Sequence, residues 1–386
     1  MGELTNANQA MERREIVDFP TEIAGIEEEL VRQRQYTLTL YTDQPPAFWQ
    51  PVKFPYLKIV NPPLWELAHI AWFAEFFCLR WREDDIKGLK VPSCLAESDA
   101  LFDSAAVIHS ARWTNTYPSV DMCFDFMRRS LDRVLAALYA SEENARHAFQ
   151  LAIAHEDMHA EALLMTLNTL GLPRPTLVGN PHRLEESVHD IGFDAGEIAL
   201  GASQRAFQFD NEMPAHMVHV QPFLMASRVV SAAEFAAFCE SPDYHDDRFW
   251  TDKGIRWRRA GYRRPPVEDG WAPAMHVNYF QADAWCRWAN RRLPSEVEWE
   301  YAVAHSRDMF QSTGRVWEWT SSAFSGFPGF VPGPYRDYSA PWFGNHMVLR
   351  GGSFATHARL KYPQYRNFFT PERTDIFCGF RTCAIA

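Results

Sequence analysis

The stretch that most constrains the fold is residues 62–83, PPLWELAHIAWFAEFFCLRWRE. It is the most apolar segment of the chain, yet Glu66, His69, Glu75 and Arg80 interrupt it. A membrane-spanning helix needs roughly 18–20 uninterrupted apolar residues, and no such run exists here, so no membrane partner is expected. Pro62 and Pro63 suit a helix start. Segments 20–41, 119–140 and 141–171 likewise place apolar residues at helical spacing. Ser141 followed by Glu142 and Glu143 reads as the opening of the last helix, and Gly171 with Pro173 as its end. Four helices of this length predict a bundle over 18–175, with a long, functional connection between the second and third.

Beyond Gly171 the character changes. A Pro/Gly-bearing linker is expected over 176–190, and an irregular α+β domain over 191–386. That domain carries strand-like pieces (HMVHVQPFLMA), two helix-like pieces (SAAEFAAFCE and QADAWCRWANRR) and long Gly/Pro/Trp-rich loops. With 14 Trp, 13 Tyr and 28 Phe in the chain, most of these rings are expected to be core. A net charge of -11 argues against binding nucleic acid or an anionic membrane through charge. Seven scattered cysteines without a CxxC pair suit reduced thiols in a cytoplasm, and no secretory segment is expected at the N-terminus.

The chemistry is concentrated in HEDMH, residues 155–159. Spaced four apart on a helix, His155 and His159 share a face and can share a metal. A zinc protease would also use Glu156 as base and a third ligand downstream. Ala162 and Met165 stand where the extended protease motif needs Gly and His, leaving only a distant Glu185 or Glu186. Glu161 lies about 200° round the helix from His159 and is poorly placed as a ligand. His69, inside the most apolar helix, is either a hydrogen-bonded core residue or the third ligand. Three neutral imidazoles favour iron, zinc or copper, with positions left open.

At this point a resemblance enters. PLWELAHIAWFAEFF and HEDMHAE resemble the DinB-like bundle of the ergothioneine-biosynthetic sulfoxide synthases. DNEMPAHMVHVQPFLMA, HVNYFQADAWCRWANRRLPSEVEWEYAVA, GRVWEWTSS, VLRGGSFATH and YRNFFTPERTDIFCGFRTCA resemble the formylglycine-generating-enzyme fold, which is C-type-lectin-like. The resemblance implies a two-domain α+β protein in which the second domain completes a substrate pocket. It implies Fe(II) held by His69, His155 and His159, O2 as co-substrate, and hercynine joined at its imidazole carbon to a sulfur or selenium donor. Glu161 would then orient a ligand imidazole from outside the coordination sphere. Asn367 falls where the family contacts substrate, followed by Phe368 and Phe369, which could pack on hercynine's trimethylammonium group. Trp317, Trp319, Arg350, Gly351 and Gly352 read as architecture.

Departures from the family narrow the expectation. The segment after RGGS has no cysteine, which disfavours formylglycine formation. Met158 replaces an expected Gln. Phe327, in GFPGF, stands at the family's catalytic tyrosine, leaving Tyr335 and Tyr338 as substitute proton donors. Phe369 replaces an expected Asp, and only Arg112, with His109 nearby, remains to grip a donor carboxylate. These changes resemble the selenoneine synthase branch, so the leading expectation is a C–Se bond to a selenosugar. The alternatives are an ergothioneine-type enzyme using cysteine or a cysteinyl peptide, a zinc-dependent hydrolase or thiol transferase, and a non-catalytic lectin-like module.

Overall fold

In the computed structural model the described residues are 16–42, 44–49, 54–203, 205–261 and 269–385. They form two units, one covering Asp18–Val178 and the other running from Gly179 onward. The division falls inside the segment expected to be a linker.

The first unit is helical: α1 (Ile23–Thr42), α2 (Pro63–Glu75), the short α3 (Ser98–Phe102), α4 (Val120–Tyr139) and α5 (Arg146–Thr169). Every residue of α2 is buried, and it runs into a π-helical turn over Phe76–Arg80. The charges that bar this segment from lipid are neutralised inside the protein. Glu75, fully buried, accepts from Arg133, from Ser93 and from the Cys94 backbone at 3.0 Å. Arg80 pairs with both oxygens of Asp99 at 2.7 and 2.6 Å, and Asp99 also accepts from the Trp72 indole. Burying each large apolar side chain contributes about 1.5–3 kcal/mol, a gain that unpaired buried charge would reverse.

The helix boundaries follow local chemistry, with one correction. Ser119 caps α4 by accepting from Met122 N, and Gly171 ends α5 in the left-handed region at φ 64°, with Leu172 N bonded to the Leu167 carbonyl. Ser141, however, does not open α5. Its hydroxyl donates to the Leu138 carbonyl and so finishes α4, while a 3-10 turn over Glu143–Ala145 leads into α5 at Arg146.

The second unit is α+β. A four-stranded sheet has the order β1 (Asp190–Phe193), β4 (Phe223–Ala226), β10 (Cys383–Ala384), β5 (Arg291–Arg292). β2 (Gly196–Leu200) and β3 (His216–Val220) form a separate antiparallel pair. A second four-stranded sheet orders β8 (Asn367–Phe369), β7 (Met347–Arg350), β6 (Trp317–Ala323) and β9 (Cys378–Phe380), with β6 and β9 parallel. Helices α6 (Ala232–Glu240), α7 (Asp252–Arg259), α8 (Tyr279–Trp288), α9 (Glu296–His305) and α10 (Arg307–Ser312) complete it. Capping boxes open α6 at Ser231–Glu234, α8 at Asn278–Gln281 and α9 at Ser295–Glu298. The sequence reading found α6 and α8 but not α9, although Ser295-x-x-Glu298 carries the same start signal.

Arg350 and the two glycines after it are architectural, as are the tryptophans. Arg350 is fully buried against Glu300, and a Cβ on Gly351 (φ 92°) would meet the Trp299 ring at 3.0 Å. The Trp319 indole donates to the Val277 carbonyl at 2.7 Å.

Glu212 carries a pH dependence. It is fully buried, accepts from the Tyr362 hydroxyl at 2.7 Å, and burial pushes its carboxyl up to about 8. Between the unfolded value near 4.5 and about 8, the folded state holds a proton that the unfolded chain has lost. Stability from this group is therefore full below ~4.5 and lost as pH rises through about 8, at ~1.4 kcal/mol per pH unit. Chemical denaturation across that window should show a shallower pH slope in Glu212→Gln by about this amount; an unchanged slope would assign the dependence to other groups.

Candidate metal centre

The bundle brings His69, His155 and His159 together. One ring nitrogen from each lies within 4.8 Å of the others, and among the described residues this is the only such group of three or more His, Cys, Asp or Glu side chains. His155 and His159 share one face of α5, and His69 meets them from α2. His69 and His155 are 2% exposed. Burial, reinforced by the neighbouring imidazoles, holds both rings well below the ordinary histidine range and therefore neutral.

Two hydrogen bonds select the tautomers. His69 Nδ1 lies 2.8 Å from the Phe102 carbonyl, which can only accept, so Nδ1 carries the proton and Nε2 the lone pair. His159 Nδ1 donates to Glu66 Oε1 at 2.8 Å, with the same consequence. The His155 ring stacks on Phe73, with centroids 3.4 Å apart and planes 3° apart. Three imidazole nitrogens, with His69 and His155 held neutral by burial, fit a borderline transition metal and suit magnesium or calcium poorly.

Around them stands an aromatic column on α2. Trp65 stacks on His69 at 4.7 Å, His69 on Trp72 at 5.8 Å, and Trp72 on Phe76 at 5.0 Å. The positions 65, 69, 72 and 76 are the three- and four-residue steps of one helix face. Trp65 and Trp72 thereby enclose the two faces of the His69 ring.

Glu66 is the residue the sequence reading missed. In the sequence it stands out only as a charge that breaks the apolar run, and that anomaly is its signal, since a carboxylate buried at 2% must have a partner. Replacing it by glutamine is expected to weaken metal binding about 10–100-fold, read by competition with a chelator. A change under twofold would mean that the Glu66–His159 bond does not tune the ligand.

Glu161, expected to orient a ligand imidazole, is buried on another side of α5. Burial, then the charges of Asp157 and Glu161, push the Tyr36 phenol up to about 12. At His69 and His159 the orienting role belongs to the Phe102 carbonyl and Glu66. Glu156, the base of a zinc protease, is locked in a two-bond ion pair with Arg34 at 2.9 and 3.0 Å. Met158 is half-buried beside His159.

Arg112 lies near the centre but is engaged by its own loop. It donates to Asn61 at 2.8 Å and to the Ser104 and Val107 carbonyls, and its guanidinium sits 3.8 Å from the Trp65 ring centre. The remaining expected residues belong to the second unit. Asn367, Phe368 and Phe369 lie along β8 and are half-buried. Phe368 stacks on Phe324 at 3.9 Å and meets Tyr338 at 5.6 Å, whereas the Phe369 face already carries the Arg373 guanidinium at 4.9 Å. Phe327 is buried beneath Arg366, 4.1 Å from its ring. Tyr338 hydrogen-bonds Tyr365 at 3.3 Å, and burial raises its phenol well above the ordinary value; Tyr335 stacks on Tyr338.

Comparisons with known proteins agree with this division. Residues 29–163 match the DinB superfamily, and 179–311 with 304–385 match the sulfatase-modifying factor enzyme 1-like domain. The chain is 31% identical over 391 residues to the hercynine oxygenase of Mycobacterium tuberculosis, covering 84% of this chain and 91% of that protein. It is 26% identical to the formylglycine-generating enzyme of Streptomyces coelicolor over 55% of this chain and 95% of that one. Ergothioneine biosynthesis protein 1 of Schizosaccharomyces pombe is 24% identical over 64% of this chain and 37% of its own length. Among the described residues no helix is long and apolar enough to cross a membrane. With both domains matched and a full-length relative at this identity, the chain belongs to the hercynine oxygenase family, the ergothioneine-type sulfoxide synthases.

Proposed function

We propose that this protein is a non-heme Fe(II), O2-dependent enzyme joining the imidazole carbon of hercynine to the sulfur of cysteine or a cysteinyl peptide. The observation that carries the reading is the buried cluster of His69, His155 and His159 in a chain similar to hercynine oxygenases over 84% of its length. Bound there, iron would supply activation of O2 and a binding position for the sulfur donor. The chain's own contribution is preparatory. Burial keeps His69 and His155 neutral, the Phe102 carbonyl and Glu66 hold the Nδ1 protons of His69 and His159, and Trp65 and Trp72 stack on the His69 ring.

A selenosugar donor is the second reading. Phe327 has no proton to give, and Arg112 spends its guanidinium on Asn61 and two carbonyls, so neither serves a zwitterionic thiol. A donor without charged groups makes no such demand. Anaerobic loading with Fe(II), then hercynine, O2 and one donor at a time (cysteine, γ-glutamylcysteine or a 1-selenosugar), separates the readings by product mass. Product from thiols only sinks the selenium reading. No product from any donor, with zinc as the tightly held metal, overturns both in favour of a zinc-dependent hydrolase or transferase.

A further inference from the structure

The inner face of α1 carries a row of polar side chains that its bundle role does not require. Gln33, Thr37 and Tyr41 follow one another at four-residue steps and are 3%, 0% and 0% exposed. Each holds a fully buried polar atom with no hydrogen-bond partner among the described residues: Gln33 Nε2, Thr37 Oγ1 and Tyr41 Oη. Such atoms are rare, because leaving one dry costs about as much as a lost hydrogen bond.

The same helix shows that Thr37 is not simply a helical threonine. The exposed Thr39 and Thr42 turn their hydroxyls back onto the Gln35 and Leu38 carbonyls, both at 2.8 Å. Thr37, buried, makes no such bond. Spacing supplies the explanation. Four residues of helix advance about 6 Å, and a water bonded at ~2.8 Å to each of two groups bridges about 5.6 Å. One turn further out the row reaches half-buried Glu29, ion-paired with Arg32.

We propose that this row binds a file of ordered water running from Gln33 past Thr37 to the Tyr41 hydroxyl. The Tyr41 ring is seated against Phe48 and Trp49, with centroids 6.4 and 6.0 Å away. Burial, and then the charges of Glu66 and Glu156, raise its phenol well above the ordinary value, so it ends the file as a neutral hydroxyl. Arg34, on the flank of the row, is saturated by Glu156, Ser130 and the Met127 carbonyl and leaves the file to neutral groups.

The test uses the full chain. A high-resolution crystal structure should show waters bridging Gln33 Nε2, Thr37 Oγ1 and Tyr41 Oη, and Thr37→Val should lose the central one and lower Tm. In a dry seam Val removes an unpaired hydroxyl at constant shape, so an absence of bridging waters with a raised Tm overturns the file. Thr37→Ser, which keeps the hydroxyl, should retain the water. Tyr41→Phe, which removes the terminal hydroxyl, should lose the water bonded to it. A water retained at that place in Tyr41→Phe would overturn its assignment to the Tyr41 hydroxyl. Neither readout involves product formation, so failure of the proposed reaction leaves both standing.

Discussion

Replacing His155 with alanine is expected to abolish metal retention and, with it, product formation. Three imidazoles are what the bundle offers, and two neutral donors on flexible exchange with water hold a divalent ion far more weakly than three. The site's other features sharpen the expectation. His155 is buried and stacked face to face on Phe73, so its removal leaves an apolar ring beside the place where the ligand stood. Metal content after dialysis and product mass under the conditions above should both fall to background, while far-UV circular dichroism keeps the helical signal. Wild-type metal content in this variant would disprove the three-imidazole assignment.

The second large effect concerns Glu156, the residue that a reading of HEDMH as a protease motif would make catalytic. Glu156→Ala strands the Arg34 guanidinium, 3% exposed, inside the bundle. Losing one partner of a buried ion pair costs about 3–5 kcal/mol. For a unit of this size that corresponds to a fall in Tm of very roughly 6–20 °C. Differential scanning calorimetry of Glu156→Ala, alongside Arg34→Met and the double variant, checks it. The double variant should recover much of the loss, because it buries no lone charge. A stability within 1 °C of wild type, combined with loss of a hydrolytic activity, is what a catalytic base would give instead.

Much of the bundle was legible because each helix carries its own evidence. Proline at the start of α2, glycine at the end of α5, and apolar spacing between them are local signals. Ser141 misled for the same reason: as a local signal it fits the start of one helix and the end of another, and only the Leu138 carbonyl decides. In the second unit the short strands and α9 were less legible. β5 and β10 are two residues each and exist only because Cys383 pairs with both Met225 and Arg292.

The same contrast runs through the candidate site. His155 and His159 declare themselves by spacing, since four residues on a helix place two rings on one face whatever surrounds them. Sequence could name His69 as a histidine out of place in an apolar helix, but its meeting with the other two is a product of how α2 and α5 pack. Which nitrogen of His69 and His159 is presented is decided by a backbone carbonyl 33 residues away and a carboxylate 93 residues away. The engagement of Arg112 by its own loop, of Phe369 by Arg373 and of Glu156 by Arg34 is likewise invisible to spacing. By itself the sequence determined the helical half, the pair of histidines and the family to which they belong. Tertiary structure alone decided the third imidazole's place, the tautomers and the buried polar row on α1, because burial and hydrogen bonding across helices are properties of packing and not of order along the chain.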